Sequence, residues 1–171
     1  MSSAPTPSGR PPGLAVESEQ RFPLPGPVVP ATPAGARRLG SAYWEEVERS
    51  TGRAIRVRDD AGVLELRLLG RGPALLRFGP PQARATASSV SCAFPILGGL
   101  LARAEGGSLV FVQEAGEAWF LRSSLHGFLP RLGASPGRPR WTGILYLHVQ
   151  ARLHRAIGRR YAARLVWESG R

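Results

Sequence analysis

The spacing of apolar residues changes period twice along this chain. In residues 35–50, Leu39, Ala42, Tyr43 and Val47 recur at helical intervals, which predicts an amphipathic helix stopped by Gly52. Those four side chains would face inward and Glu45, Glu46 and Arg49 outward. After Gly52 the grammar becomes that of strands. Residues 53–58 (RAIRVR) and 63–69 (VLELRLL) flank Asp59-Asp60-Ala61-Gly62, a hairpin turn ending in glycine. Residues 74–78, 84–94, 100–103, 108–113 and 118–128 extend the series through short Gly- or Pro-bearing connectors, so six or seven strands in an antiparallel meander are expected. Helical periodicity returns over 141–167, after the breaker run 133–139. There Leu147, Gln150, Leu153, His154, Ile157, Tyr161 and Leu165 share one broad face, with His148, Arg152, Arg155 and Arg159 on the other.

The N-terminal stretch reads differently. Nine of the sixteen prolines fall in the first 33 residues. Residues 1–13 have almost nothing to bury and are expected to form a disordered leader. Leu14, Val16 and Phe22 fall on alternate positions, compatible with a short strand ended by Pro23, and 22–33 reads as an extended connector. A single α+β domain over 14–167, followed by a short tail at 168–171, accounts for the length of 171 residues.

Composition narrows the function classes. Apolar residues make up 43% of the chain, enough for a core, and no run approaches the roughly eighteen needed to cross a membrane as a helix. The N-terminus lacks a charged-then-apolar signal pattern, so a cytoplasmic location is expected. Cys92 is the only cysteine, which excludes an internal disulfide. The net charge of +11 is carried entirely by arginine, with neither lysine nor asparagine present, a usage that fits a G+C-rich, bacterial gene. Codon bias explains arginine over lysine but not its distribution. Residues 118–167 hold nine arginines and no acid, so an electropositive C-terminal face is expected.

Three stretches carry a family resemblance: 92–103 (CAFPILGGLLAR), 108–113 (SLVFVQ) and 146–165 (YLHVQARLHRAIGRRYAARL). Strand, Gly-Gly kink, strand and closing helix in this order resemble the helix-grip fold of the START-like superfamily, which includes polyketide cyclases/dehydrases and lipid-transfer proteins. The resemblance implies a curved antiparallel sheet packed against the long C-terminal helix, with a cavity between them for a hydrophobic or amphipathic small molecule. Gln150, His154, Ile157 and Tyr161 on the inward helix face, with Phe94, Phe111 and Trp119 on the strands, would line it. The same scaffold carries enzymes, so a cyclase, dehydratase or isomerase using His154 with Tyr161 is the alternative. Against both stands a plainer account, in which His154 and Tyr161 simply pack in the core.

Other chemistry has less footing. His148 and His154 are too far apart around the helix to share a metal, and no carboxylate lies near any histidine in sequence, so neither a metal nor a cofactor is expected. Cys92, between Val90 and Phe94 on a strand face, reads as a buried inert thiol. Serine-hydrolase and phosphate-loop motifs are missing. Glu114 and Glu117 straddle a turn and are too exposed for a paired-carboxylate site. Arg152, Arg155 and Arg159 form a stripe that could meet an anionic lipid surface, an acidic protein or nucleic acid; poor aromatic interleaving ranks nucleic acid behind the small-molecule reading.

Overall fold

The computed structural model describes residues 16–102, 105–128 and 140–170, with side chains over 17–102, 105–128 and 155–170. The leader expected at 1–13, and the side chains of His148, Gln150, Arg152 and His154, lie outside the described residues. The element order is β1 (Val16–Leu24), α1 (Pro33–Ser50), β2 (Ile55–Asp60), β3 (Val63–Leu68), β4 (Ala74–Phe78), β5 (Gln82–Ala85), β6 (Ser89–Gly98), β7 (Ser108–Ala115), β8 (Trp119–Phe128) and α2 (Arg140–Ser169).

Local chemistry sets the bounds of α1. Thr32, in an extended conformation, caps the first turn by accepting from Gly35 N (3.1 Å), and Pro33 takes the first helical position, where its missing N–H costs nothing. Gly52 then adopts φ +58° and ends the helix. Glu46 departs from the outward placement expected of it. It is 3% exposed, and its carboxylate accepts from Ser50 Oγ (2.6 Å) and Arg49 Nη1 (3.0 Å), which supply the partners that burial requires.

The eight strands form one antiparallel sheet in the order β1-β8-β7-β6-β4-β3-β2, with β5 pairing β6 beside that path. The β2–β3 turn is tighter than anticipated. Asp60 pairs with Val63, leaving Ala61 and Gly62, both at positive φ, as a two-residue hairpin loop. Pro23 does not end β1; it pairs with Phe120 of β8, tolerated because β1 is an edge strand whose outer side needs no N–H. The segment expected as one strand over 84–94 is two, parted at 86–88, where Thr86 N donates to Ser89 O (2.7 Å) and Thr86 Oγ1 accepts from Ser89 N (3.1 Å). The expected strand at 100–103 is only a short stretch held to β4 by Leu100 N to Ala74 O and Leu101 N to Leu75 O (both 2.9 Å).

Strand alternation gives the sheet one helix-facing side. In register across it lie Gln20, Phe22 and Leu24 of β1, Ser123, Leu121 and Trp119 of β8, Phe111 and Gln113 of β7, and Cys92 and Val90 of β6. Both helices pack there: Leu39, Tyr43, Trp44 and Val47 of α1 and Ile157, Tyr161 and Leu165 of α2 share one buried core with Phe78, Phe94 and Phe111. This is a helix-grip-like α+β fold.

Candidate functional site

The core between α1, the described half of α2 and the sheet is filled by aromatic rings. Tyr43 meets Phe111 at 4.5 Å between centroids and Tyr161 at 5.5 Å; Phe111 meets Tyr161 at 5.6 Å; Trp44 packs on Phe78 and Phe94 at 5.0 and 5.3 Å. Edge-on and tilted geometries of this kind add to the burial itself. Of the side chains singled out in the sequence, Phe94, Phe111, Ile157 and Tyr161 are thus brought together, all at 5% exposure or less. Tyr161 donates its hydroxyl proton to Leu39 O (3.0 Å), and burial holds the phenol well above its ordinary pKa. Cys92 lies in the same core, its thiol pushed up to about 11, chiefly by burial, and Gly40 of α1 passes so close that an added Cβ would sit 3.1 Å from the sulfur.

Trp119 lies apart from these rings. Half-buried at the start of β8, it helps line an open groove of about 500 Å³ with Pro27–Ala31, Val90 and Gln113. Gln113 is the strut of that groove. Its Oε1 accepts from Val28 N (2.7 Å) and Val29 N (2.9 Å), and its Nε2 donates to Val29 O (2.9 Å), fixing the β1–α1 connector against β7. Arg155 and Arg159 are exposed on the outer side of α2. His126 finds its carboxylate across the sheet rather than in nearby sequence: its Nδ1 is 2.8 Å from Glu17 Oε2, and the Gly127 N–H and then His126 hold Glu17 below the usual carboxylate range.

Two residues that motif reading passed over carry the most informative polarity. Gln20 of β1 and Ser123 of β8 are directly opposed on the helix-facing side. Ser123 is 1% exposed, and both Ser123 Oγ and Gln20 Oε1 are buried without a hydrogen-bond partner among the described residues. Buried polar atoms are nearly always satisfied, and leaving one unmade costs about 1–3 kcal/mol. Trp44 Nε1 is also unpartnered, but it is held among the Phe78 and Phe94 rings, and the unpartnered Ser124 points to the opposite side of the sheet. Arg122 Nε shares that opposite side with Ser124 and lies 3.5 Å from Glu114, and Arg164 Nη1 belongs to a guanidinium paired with Glu45 and Glu168; Gln20 and Ser123 are the pair directly opposed on the helix-facing side. Above them α2 presents Gly158, where a Cβ would lie 2.6 Å from Gln20 Oε1 and 2.9 Å from Phe22 Cζ. Their surroundings on the sheet are Phe22, Leu121, Leu125 and Phe111, with Ser18 the polar neighbour on β1, and no strand position on this side of β1, β7 or β8 within that register is charged. The signal was present in the sequence as a Gln and a Ser in the inward phase of strands whose inward residues are otherwise mostly apolar, Ser18 being the exception.

A second cluster ties the helices together outside the core. Arg38 of α1 bonds Glu45 and Glu168 (both 2.7 Å), and Arg164 of α2 bonds Glu168 (2.7 Å) and Glu45, closing a four-membered ring. Partial burial alone would raise the two carboxyls, but the bonds from Arg38 and Arg164 outweigh it and hold both below their usual range. This ring is a clamp between α1 and the last turns of α2.

Sheet and closing helix define a helix-grip-like α+β fold, with the Gln20–Ser123 polar pair on its helix-facing side. No family model matches the chain, and no curated protein matches it. Among solved structures, the crystal structure of Ara h 8.0201 is similar to it over 87% of this chain and 99% of that one, with a TM-score of 0.43 and 14% identity. Among the described residues, no helix is long and apolar enough to cross a membrane.

Proposed function

We propose that this protein binds a hydrophobic or amphipathic small molecule between the sheet and α2, as a START-like binding module. The observation that carries this reading is the unpartnered pair Ser123 Oγ and Gln20 Oε1, set in an apolar floor. Small-molecule sites are mostly apolar with a few placed polar groups, and a serine hydroxyl beside an amide acceptor is complementary to a ligand hydroxyl that both donates and accepts. Gln150 and His154 of α2, on the helix face that carries Ile157 and Tyr161, would complete the wall opposite the sheet. Phe111 and Phe94 would form its packed inner end, and Trp119 its distant edge.

Native mass spectrometry of the purified chain, followed by organic extraction, tests the reading directly. A discrete added mass that leaves on denaturation is expected. Ser123→Ala separates a ligand role from a structural one. Removing an unsatisfied hydroxyl should leave the empty protein as stable as before, or slightly more so, while weakening a hydroxylated ligand about tenfold. A bare mass, with no thermal response to a panel of apolar alcohols, sinks the proposal; so does an affinity that Ser123→Ala leaves unchanged.

A further inference from the structure

Of the four large apolar side chains left exposed among the described residues, three gather at one end of the sheet. Leu68, Leu69 and Leu100 are 55%, 69% and 47% exposed. Leu68 ends β3 and Leu69 begins the turn to β4. Leu100 lies alongside the start of β4, bonded through its N–H to Ala74 O, and Ala74 in turn pairs with Arg67 of β3. The two turns therefore stand about two strand spacings apart, roughly 10 Å.

Neither turn is a slack loop. Leu69 N donates to Ala54 O (2.7 Å) and Arg71 N to Leu68 O (3.1 Å), and Leu69 is held at φ +50°, a conformation that a bulky residue rarely adopts. Gly99 anchors the second turn, passing so close to β4 that a Cβ would meet Leu75 O at 2.6 Å. Rigid backbone thus presents leucine to solvent where Asn or Gly would sit with less strain.

The surroundings are basic. Arg53 precedes the Ala54 carbonyl that receives Leu69, Arg71 is in the turn itself, and Arg58 reaches to within 3.8 Å of where a Gly70 Cβ would be. Arg53, Arg58 and Arg71 are exposed and have no ion-pair partner among the described residues, whereas Arg56 faces Glu48 at 3.9 Å and Arg67 and Arg77 share Glu65. Glu105 is the exposed acid of the neighbouring 99–107 connector, and Asp59 and Asp60 lie at the opposite end of the β2–β3 hairpin.

We propose that this end of the sheet docks on an anionic lipid surface, with Leu68, Leu69 and Leu100 entering the headgroup region and Arg53, Arg58 and Arg71 meeting the lipid phosphates. Apolar tips ringed by cations match the two attractions of such a surface, hydrophobic insertion and charge. A protein partner fits less well. Leucines that protrude from separate turns offer no pocket in which an anchoring side chain could be buried.

Co-sedimentation of the full chain with phosphatidylcholine vesicles, with and without phosphatidylglycerol, is the test. Binding is expected only when the anionic lipid is present, weakening as salt is raised. Leu69→Asn keeps the positive-φ residue comfortable, and with Leu68→Ser it should reduce binding about tenfold at an unchanged melting temperature. Arg53→Asn, again suited to its φ of +64°, together with Arg71→Gln should lower it about fivefold per arginine. Arg155→Gln with Arg159→Gln, on the outer face of α2, should change it little. Absence of binding to anionic vesicles overturns the proposal. It also falls if binding persists in the leucine variant and is lost with Arg155 and Arg159, or if heparin competes it away completely and the leucines make no difference, since either result describes a charge-only polyanion site.

Discussion

At Gly158 α2 passes close over β1, and its missing side chain is what lets the Gln20 amide and the Phe22 ring lie beneath the helix. Alanine at a helix interior normally gains about 1 kcal/mol over glycine. Here the added methyl would have to displace Phe22 Cζ as well as Gln20 Oε1, and overpacking costs about 1–3 kcal/mol. Gly158→Ala should therefore lower stability in urea by about 1 kcal/mol, and adding Gln20→Ala should recover part of that loss by opening room. A clean stabilisation would mean that the helix rides higher on the sheet than this packing has it. The polar floor was legible in outline, because Gln20 and Ser123 fall in the inward phase of their strands. What sequence could not supply was register: only the pairing of β1 with β8, about a hundred residues downstream, sets these two side chains opposite each other. The same long-range pairing hid the Glu17 partner of His126. Glu46 was misplaced for a local reason, since Ser50 and Arg49 satisfy its carboxylate inside the helix's own last turns.

Helices and long strands followed from periodicity, and their exceptions have physical causes. Pro23 is accommodated because β1 is an edge, a fact of topology rather than of residue type, and the break at 86–88 is made by turn bonds between the Thr86 hydroxyl and the Ser89 backbone rather than by Gly or Pro. The docking of α2 on α1 was equally invisible, because its ion pairs join residues more than a hundred positions apart. In the ring of Arg38, Glu45, Arg164 and Glu168, both carboxyls titrate below their unfolded values. A depressed carboxylate contributes stability that is complete above the unfolded pKa, about 4.3, and is lost as pH falls through the folded value. The melting temperature should thus be insensitive to this ring from neutral pH to about 5 and should drop below about 4.5. Glu168→Gln should cost about 1 kcal/mol at neutral pH, allowing for a partly solvated network, and should flatten the acid-side drop. Parallel acid profiles for the two proteins would show that the clamp adds nothing to folding.

Across the whole molecule, the interior is divided by what fills it. Among the described residues around Tyr43, Phe111 and Tyr161, Trp44 Nε1 alone lacks a partner, and Tyr161 has spent its proton on Leu39. Toward β1 and β8 the floor carries two unsatisfied polar atoms and no charge. That contrast bears on the charge of the ligand. A carboxylate placed against this floor would lose its hydration without meeting a cation from the sheet, which is costly, whereas an alcohol would lose little and gain the bonds that Ser123 and Gln20 offer. Ligand that binds only the folded chain stabilises it by about 2.7 kcal/mol at a hundredfold excess over Kd. For a chain of this size that corresponds to a rise of roughly 5–10 °C in melting temperature. A long-chain alcohol should produce such a shift, and the fatty acid of equal length should produce a clearly smaller one at pH 7, the gap closing as the acid is protonated. The reverse order would mean that a cation from α2 reaches the site, and would move the recognition chemistry from the sheet to the helix.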